Sequence, residues 1–187
     1  MNDLLSQDFY LIIRPRMLTR KFDIRDKNGN VLFEATPNLL STELSITDNT
    51  GTVVGETAQK VLSLVPTFHL YEGDAKAGKL IGTIKKPIIK NMLSMGQKLD
   101  VESPEGKVVA KASGGMFGLG GASASYSITD GEGVLVAKVS TELTDSIMGT
   151  LGNLAKAAYS LQIIKQDAVP TLMLIELLLS IELLKVK

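Results

Sequence analysis

The stretch that most constrains this chain is its C-terminal segment, Ala168 to Leu184, which reads AVPTLMLIELLLSIELL. Twelve of its 17 residues are apolar, and they do not fall into a single stripe. Leu and Met are strong helix formers, Asp167 is a suitable N-cap, and Pro170 is tolerated in a first turn. A helix that is apolar on nearly all sides must be buried on nearly all sides. The segment therefore predicts a central helix around which the remaining chain folds.

The alternatives to burial inside the protein are that this helix anchors the chain in a membrane or packs on the protein surface. A bilayer core requires about 20 predominantly apolar residues, whereas this run is shorter and contains Glu176 and Glu182. Each carboxylate would cost about 2–3 kcal/mol or more at the centre of a bilayer. A surface helix needs one polar face, but Glu182 lies about 120° around the helix from Glu176. Burial inside the protein is therefore the favoured interpretation.

The chain before this helix repeats one pattern, a strand, a tight turn and a returning strand. The repeated segments are Phe22–Phe33, Leu44–Val54, Phe68–Ile84, Leu99–Val109 and Tyr126–Val136. Their turn glycines, Gly29, Gly51, Gly78, Gly106 and Gly133, recur at spacings of 22, 27, 28 and 27 residues. Asp, Asn and Gly at these turns suit the positive φ angles that tight hairpins need. The spacing predicts five β-hairpins.

Two further strands, Phe9–Pro15 and Tyr159–Ile164, bring the predicted total to about twelve. Many antiparallel strands in sequence usually close into a barrel, which removes exposed edges. A barrel of that size has an interior wider than its own side chains fill, and an apolar helix would occupy it. The predicted fold is thus mainly β, a closed antiparallel barrel of about twelve strands around a central hydrophobic C-terminal helix, in a single domain over residues 1–187.

This combination of repeated D-x-x-G hairpins and an apolar terminal helix preceded by Asp167 resembles the LURP-one-related proteins. The best local match is Phe22–Phe33, FDIRDKNGNVLF. These proteins belong with the tubby C-terminal domain and the phospholipid scramblases. The resemblance implies a β-barrel around a hydrophobic helix, but it does not imply one function. Tubby domains bind phosphoinositides and scramblases are associated with lipid transport and calcium, although this chain lacks the Cys-rich and Pro-rich segments of scramblases.

The charge balance, the cysteine content and the first residues of the chain argue against several classes of function. Lys plus Arg equals Asp plus Glu at 20 each, which argues against a dedicated nucleic-acid-binding protein because such proteins usually carry a strongly basic face. The chain has no cysteine, so disulfides, thiolate metal sites and cysteine nucleophiles are excluded. The first ten residues show no basic region followed by an apolar run, and hence no signal peptide. A cytoplasmic protein, peripheral at a membrane, is the expectation.

Three further features invite functional interpretations that the residues do not support. The glycine-rich run Ser113–Ala122 lacks a phosphate-loop pattern, which favours a close-packed or mobile connection. His69 is the single histidine, and no partner for a general base is apparent. Asp26, Asn28 and Asn30 resemble a calcium loop superficially, but the required Gly and distal Glu are missing. No catalytic residue, metal site or cofactor is predicted.

The densest basic cluster is the predicted ligand-binding site. It consists of Arg14, Arg16, Arg20 and Lys21. A second cluster comprises Lys85, Lys86 and Lys90. The functional interpretation is a site for an anionic head group or phosphate, and the alternative is a solvated strand end.

Glu176 and Glu182 are unusual because a buried carboxylate is costly unless it is paired, hydrogen-bonded or protonated. The structural interpretation pairs each acid with a basic or hydroxyl group on the wall of the sheet, or exposes Glu182 near the helix end. The functional interpretation is a polar site in the interior. The sequence leaves both open.

The favoured function is a non-enzymatic binding module whose ligand is an anionic lipid head group or another phosphorylated group, with an anionic membrane surface as partner. The alternative is a structural or protein-interaction domain without a small ligand. An enzyme is least favoured, since no nucleophile–base or metal constellation is visible. Nucleic acid is not an expected partner.

Overall fold

The computed structural model describes residues 9–14, 21–40, 42–60, 62, 67–85, 97–117, 123–140 and 158–185. Over these residues the chain forms twelve strands and one C-terminal helix, which confirms a mainly β protein. The strands are β1 (Phe9–Arg14), β2 (Lys21–Arg25), β3 (Val31–Pro37), β4 (Glu43–Asp48), β5 (Val53–Gln59), β6 (Thr67–Glu72), β7 (Lys79–Lys85), β8 (Gln97–Glu102), β9 (Val108–Phe117), β10 (Ser123–Asp130), β11 (Leu135–Ser140) and β12 (Ala158–Ile163). The helix is α1 (Thr171–Lys185).

The five predicted hairpins are confirmed, and an aspartate organises the turn in several of them. In the first, Asp26 Oδ1 accepts from the backbone N–H groups of Asn28 at 2.9 Å and Asn30 at 2.8 Å. Gly29 follows with a φ of 86°, a conformation that side chains other than glycine rarely adopt. This is turn chemistry, as predicted for Asp26, and not a calcium loop.

The third hairpin differs from the prediction. Its positive φ belongs to Gly73, at 83°, and not to Gly78. Gly78 is instead tightly packed, because a Cβ there would lie 2.4 Å from the carbonyl oxygen of Glu72. Gly78, which the repeat aligns with the other turn glycines, is therefore a position where the neighbouring backbone leaves no room for a side chain.

The prediction of a closed barrel requires correction. The repeated hairpins and β12 form a single eleven-strand antiparallel sheet, β2 to β12, in which each strand pairs with its neighbour in sequence. That sheet is not closed in itself, because its edge strands β2 and β12 do not pair with each other over the described residues. The short strand β1, outside the repeat, lies between them and pairs with both. Because β2 and β12 pair with β1 and not with each other, the repeated hairpins and β12 do not close the sheet.

The predicted burial of the helix is confirmed. Leu174, Ile175 and Leu178 are exposed by only 1%, 3% and 3%. They belong to one core cluster with inward-facing side chains from β2 to β12. The sheet therefore curves around α1, which replaces water on all sides of the helix with apolar side chains.

The helix starts later than predicted, at Thr171 instead of Ala168. Asp167 has a φ of 64° and is not the N-cap. The residue before a proline avoids the helical region of φ and ψ, so Val169 cannot continue a helix into Pro170. The first helical bond runs from the Leu174 N–H to the carbonyl of Pro170, at 3.2 Å.

The glycine-rich run is partly β-structure. Its residues 113–117 belong to β9, while residues 118–122 lie outside the described residues. At Gly114 a Cβ would stand 2.0 Å from the carbonyl oxygen of Ser125 on the paired strand. The close-packed interpretation of this segment is therefore supported at Gly114.

We expect Leu177→Ala, in the fully buried face of α1, to lower the free energy of unfolding by about 2–5 kcal/mol, because it removes buried methyl groups and leaves a cavity. The matched control is Leu62→Ala, since Leu62 is 95% exposed and its loss should change stability by less than about 0.5 kcal/mol. Urea unfolding monitored by circular dichroism measures both. Equal destabilisation of the two variants would contradict the buried position of the helix.

Candidate functional site

The antiparallel sheet has two ends with different connections. The turns within the five hairpins all lie at one end, which we call the hairpin end. The connections from β1 to β2, β3 to β4, β5 to β6 and β7 to β8 lie at the opposite end, which we call the loop end. Functional residues commonly lie in loops at one end of a rigid scaffold. The two ends of the sheet are therefore distinct candidate sites.

The predicted site residues Arg14 and Lys21 are brought together at the loop end. They are Cα partners in the ladder between β1 and β2. Lys21 Nζ donates to Glu34 Oε1 of the neighbouring β3, and the Lys21 side chain remains partly exposed. Arg16 and Arg20 lie outside the described residues. Binding of an anion by these four residues stays a prediction.

A second group of cations at the loop end surrounds the single histidine. His69 on β6 contacts Thr83 on β7, with 3.2 Å between His69 Nδ1 and Thr83 Oγ1. Burial lowers the pKa of His69, and the positive charges of Lys60 and Lys85 lower it further. The imidazole is therefore neutral at pH 7. We call Lys60, His69 and Lys85 the lysine–histidine cluster.

The two lysines of this cluster differ in their partners. Lys85 Nζ donates to Glu102 Oε2 at 2.5 Å, whereas exposed Lys60 has no ion pair in the part of the chain that the structure describes. Lys86 and Lys90, predicted to accompany Lys85, lie outside the described residues. Sequence reasoning considered His69 and Lys85 separately and missed Lys60, because these residues come together only through the pairing of β5, β6 and β7.

Glu176 is the most unusual polar residue of the interior. It has 0% exposure, and neither carboxyl oxygen has a hydrogen-bond partner among the described residues. Burial raises the pKa of Glu176 to about 9. The backbone N–H of Glu56, which is near the carboxyl group but outside hydrogen-bond geometry, lowers this pKa, and the charge of the Glu56 carboxylate raises it. Of the alternatives that the sequence left open, the geometry favours a protonated acid over an ion pair.

The sheet makes room for this carboxyl group at Gly55. A Cβ at Gly55 would lie 2.8 Å from Glu176 Oε1 and 2.9 Å from Leu172 Cδ1. Thr57, two residues along the same inward face of β5, is fully buried, and its hydroxyl has no partner among the described residues. Ser180 does not assist the carboxyl group, because its hydroxyl donates to the Glu176 backbone carbonyl at 2.8 Å. The side chain of Glu182 lies outside the described part of the helix.

The hairpin end holds an open cleft that sequence reasoning did not find. Its volume is about 500 Å³, and its lining includes Lys107, Asp130, Glu132, Lys165 and Asp167. Lys165 Nζ lies 3.8 Å from Asp130 Oδ2, so the charges of the cleft partly neutralise each other. Within the described residues, no group of three or more His, Asp or Glu side chains is placed to hold a metal ion.

The fold defines a class of protein, a domain in which a long antiparallel sheet surrounds an apolar C-terminal helix. A family model described as LURP-one-related matches residues 9–175, and the chain belongs to this family. The X-ray structure of an Arabidopsis thaliana protein aligns with a TM-score of 0.58 and 16% identity, over 95% of this chain and 91% of that chain. At that identity the likeness shows the fold alone. Comparison with curated proteins gives no significant match.

The helix does not have the properties of a membrane span. Among the described residues, none of the helical structure is both long and apolar enough to cross a bilayer. Of the placements that the sequence left open, burial inside the sheet is the one that the structure shows for α1.

The protonated state of Glu176 makes stability depend on pH. An unfolded glutamate titrates near pH 4.3, and the folded group titrates near pH 9. Between these values the folded state holds a proton that the unfolded state has released, so the free energy of unfolding falls by up to about 1.4 kcal/mol per pH unit as pH rises. We expect Glu176→Gln to match the wild type at pH 5 and to melt at a higher temperature at pH 8.

Thermal melts at pH 5 and pH 8 measure this difference, and comparing the two proteins cancels the contribution of His69. The control is Glu132→Gln, at an exposed position of a hairpin turn, which should melt like the wild type at both pH values. A Glu176→Gln variant less stable than the wild type at both pH values would show instead that the carboxylate is ionised and paired.

Proposed function

We propose that this domain is a non-enzymatic binding module whose loop end recognises anionic phosphorylated groups, with lipid head groups as the favoured class. The observation that carries this proposal is the charge at that end. Among the strand ends and described connections there, the cations are Arg14, Lys21, Lys60, Lys85 and Lys98. Glu34 and Glu102 pair with Lys21 and Lys85, and Asp100 lies opposite Lys85 on β8. Lys60 and Lys98 are exposed and have no ion pair among the described residues. The loop end therefore offers exposed, unpaired lysines to an anionic group at Lys60 and Lys98.

The hairpin end contains acidic turns. Its turns use aspartate oxygens as acceptors for backbone N–H groups, as at Asp26, Asp48 and Asp130. These acids are present for turn geometry, but they also place negative charge at that end. Lysines such as Lys27, Lys76 and Lys107 also lie at the hairpin end, but the turn acids offset their charge, so the loop end is the more favourable face for an anionic surface.

Phosphate recognition by lysine and arginine depends on charge and hydrogen-bond donation. The exposed Lys60 and Lys85 supply both, and the neutral His69 lies beside them. Membership of the LURP-one-related family does not identify a ligand, because the match describes a family and not an activity. The proposal therefore rests on the distribution of charge over the fold.

His69 supplies a direct test because it is the single histidine of the chain. An anion bound beside Lys60 and Lys85 would offset the positive charges that lower the His69 pKa. We expect the His69 pKa, followed by proton NMR of protein without a histidine tag, to rise when glycerophosphoserine or inorganic phosphate is added. Lys60→Gln combined with Lys85→Gln should raise the starting pKa and abolish the ligand-dependent rise.

The matched control removes two lysines from the hairpin end, Lys107→Gln with Lys165→Gln, and should leave the rise in the His69 pKa intact.

The predicted cluster at β1 and β2 is tested by a second experiment, in which Arg14, Arg16 and Arg20 are replaced with Gln. This change should abolish salt-sensitive binding to vesicles of phosphatidylcholine and phosphatidylserine. Absence of any His69 shift together with absence of salt-sensitive vesicle binding would overturn the proposal and favour a structural or protein-interaction domain.

A further inference from the structure

Three leucines at the loop end are far more exposed than any other large apolar residue that the structure describes. Leu39, Leu40 and Leu62 are 84%, 79% and 95% exposed. The remaining exposed residues of this kind, Val31, Val134 and Ile164, are only 41–47% exposed, and they lie at the hairpin end. Isolated exposed apolar residues are common, but apolar residues gathered on one surface mark an interaction site.

The leucines lie on neighbouring connections of the sheet. Leu39 and Leu40 follow β3, and Leu62 follows β5. The two connections are joined where the backbone N–H of Gln59 donates to the carbonyl of Thr42 at 2.6 Å. We call Leu39, Leu40 and Leu62 the leucine rim.

The first connection is held in place by polar bonds. Asn38 Oδ1 accepts from the backbone N–H of Thr42 at 2.9 Å, and the Asn38 N–H donates to the carbonyl of Glu43 at 2.9 Å. In the second connection, the Lys60 N–H donates to the carbonyl of Thr67 at 2.9 Å. These bonds fix the backbone on either side of the leucines, which reduces the entropy lost when the rim binds a partner.

Cations flank the leucine rim on both sides. In the order of strands around the loop end, Arg14 and Lys21 precede it, whereas Lys60 and Lys85 accompany and follow it. Lys21 and Lys85 are ion-paired with glutamates, so the unpaired cation beside the rim is the exposed Lys60. An anionic bilayer offers this combination, negative head groups at its surface and hydrocarbon beneath them. An acidic protein surface would match the cations but would not require exposed leucines on two separate connections.

We propose that the leucine rim inserts into the apolar layer of an anionic membrane while the flanking cations contact the lipid head groups. This inference rests on the proposed function and narrows its partner from phosphorylated groups in general to a lipid bilayer surface. It also assigns two contributions to binding. The cations supply an electrostatic attraction that salt screens, and the leucines supply a hydrophobic contribution that salt does not screen.

The test is partition onto vesicles of phosphatidylcholine and phosphatidylserine at low and high salt. The variant replaces the rim, Leu39→Ser, Leu40→Ser and Leu62→Ser, and it should fold because all three side chains are exposed. We expect its partition coefficient to fall by at least about tenfold, equivalent to about 1.4 kcal/mol, and its remaining binding to vanish at high salt. The matched control replaces the exposed residues of the hairpin end, Val31→Ser, Val134→Ser and Ile164→Ser, and should bind like the wild type.

Insertion is measured directly with a fluorescent reporter, because the chain contains no tryptophan. Leu62→Trp should show a blue-shifted emission on these vesicles and quenching by brominated lipids, whereas Ile164→Trp should show neither. If the serine variant binds as the wild type does and Leu62→Trp emission is unchanged, insertion is overturned, while a His69 shift with soluble anions would leave the proposed function standing. Absence of both the His69 shift and salt-sensitive vesicle binding would overturn the proposed function as well. Rim-dependent binding to a protein with no effect of vesicles would assign the rim to a protein partner and overturn the lipid assignment.

Discussion

The structure depends on one constraint, the need to keep water away from a helix that is apolar on every side. Its residues from Met173 to Ile181 are all buried, so no face is left for solvent. A flat sheet could cover only one face of such a helix. The strands must therefore curve around it, and the inward side chains of successive strands join one core with α1. Buried and less buried residues alternate along β3 and β4, because one face of each strand packs towards the helix.

Glu176 is the exception that this core accommodates. An ionised carboxylate without a partner would cost several kcal/mol in an apolar interior, and retaining the proton avoids most of that cost. Gly55 provides the space, since a side chain on that residue would collide with Glu176 and Leu172. The unpartnered Thr57 hydroxyl lies on the same strand face. Polarity in the core is thus concentrated where the helix approaches β5, a strand that leads directly to the leucine rim.

The two ends of the sheet follow different chemistry because they satisfy different constraints. At the hairpin end, tight turns require aspartate acceptors and glycines with positive φ, so that end becomes acidic as a consequence of its geometry. At the loop end the connections are longer or differ among themselves, and cations and exposed leucines are accommodated there. A rigid sheet with a specialised set of loops is the usual arrangement for binding. The asymmetry of charge and apolar exposure follows from this division.

Strand alternation, turn residues and the continuous apolar run predicted the strands, the five hairpins and the burial of the terminal helix, because these features are local properties of the chain. The sequence also predicted that Arg14 and Lys21 lie close together, and they are Cα partners between β1 and β2. The closed barrel and the helix start at Ala168 were wrong, since the first depends on how distant strands meet and the second on the conformation that Pro170 imposes. Only the tertiary structure decided that Lys60, His69 and Lys85 form one cluster and that Leu39, Leu40 and Leu62 face solvent. These groupings join residues from separate strands and loops, and sequence spacing does not encode which of them become neighbours.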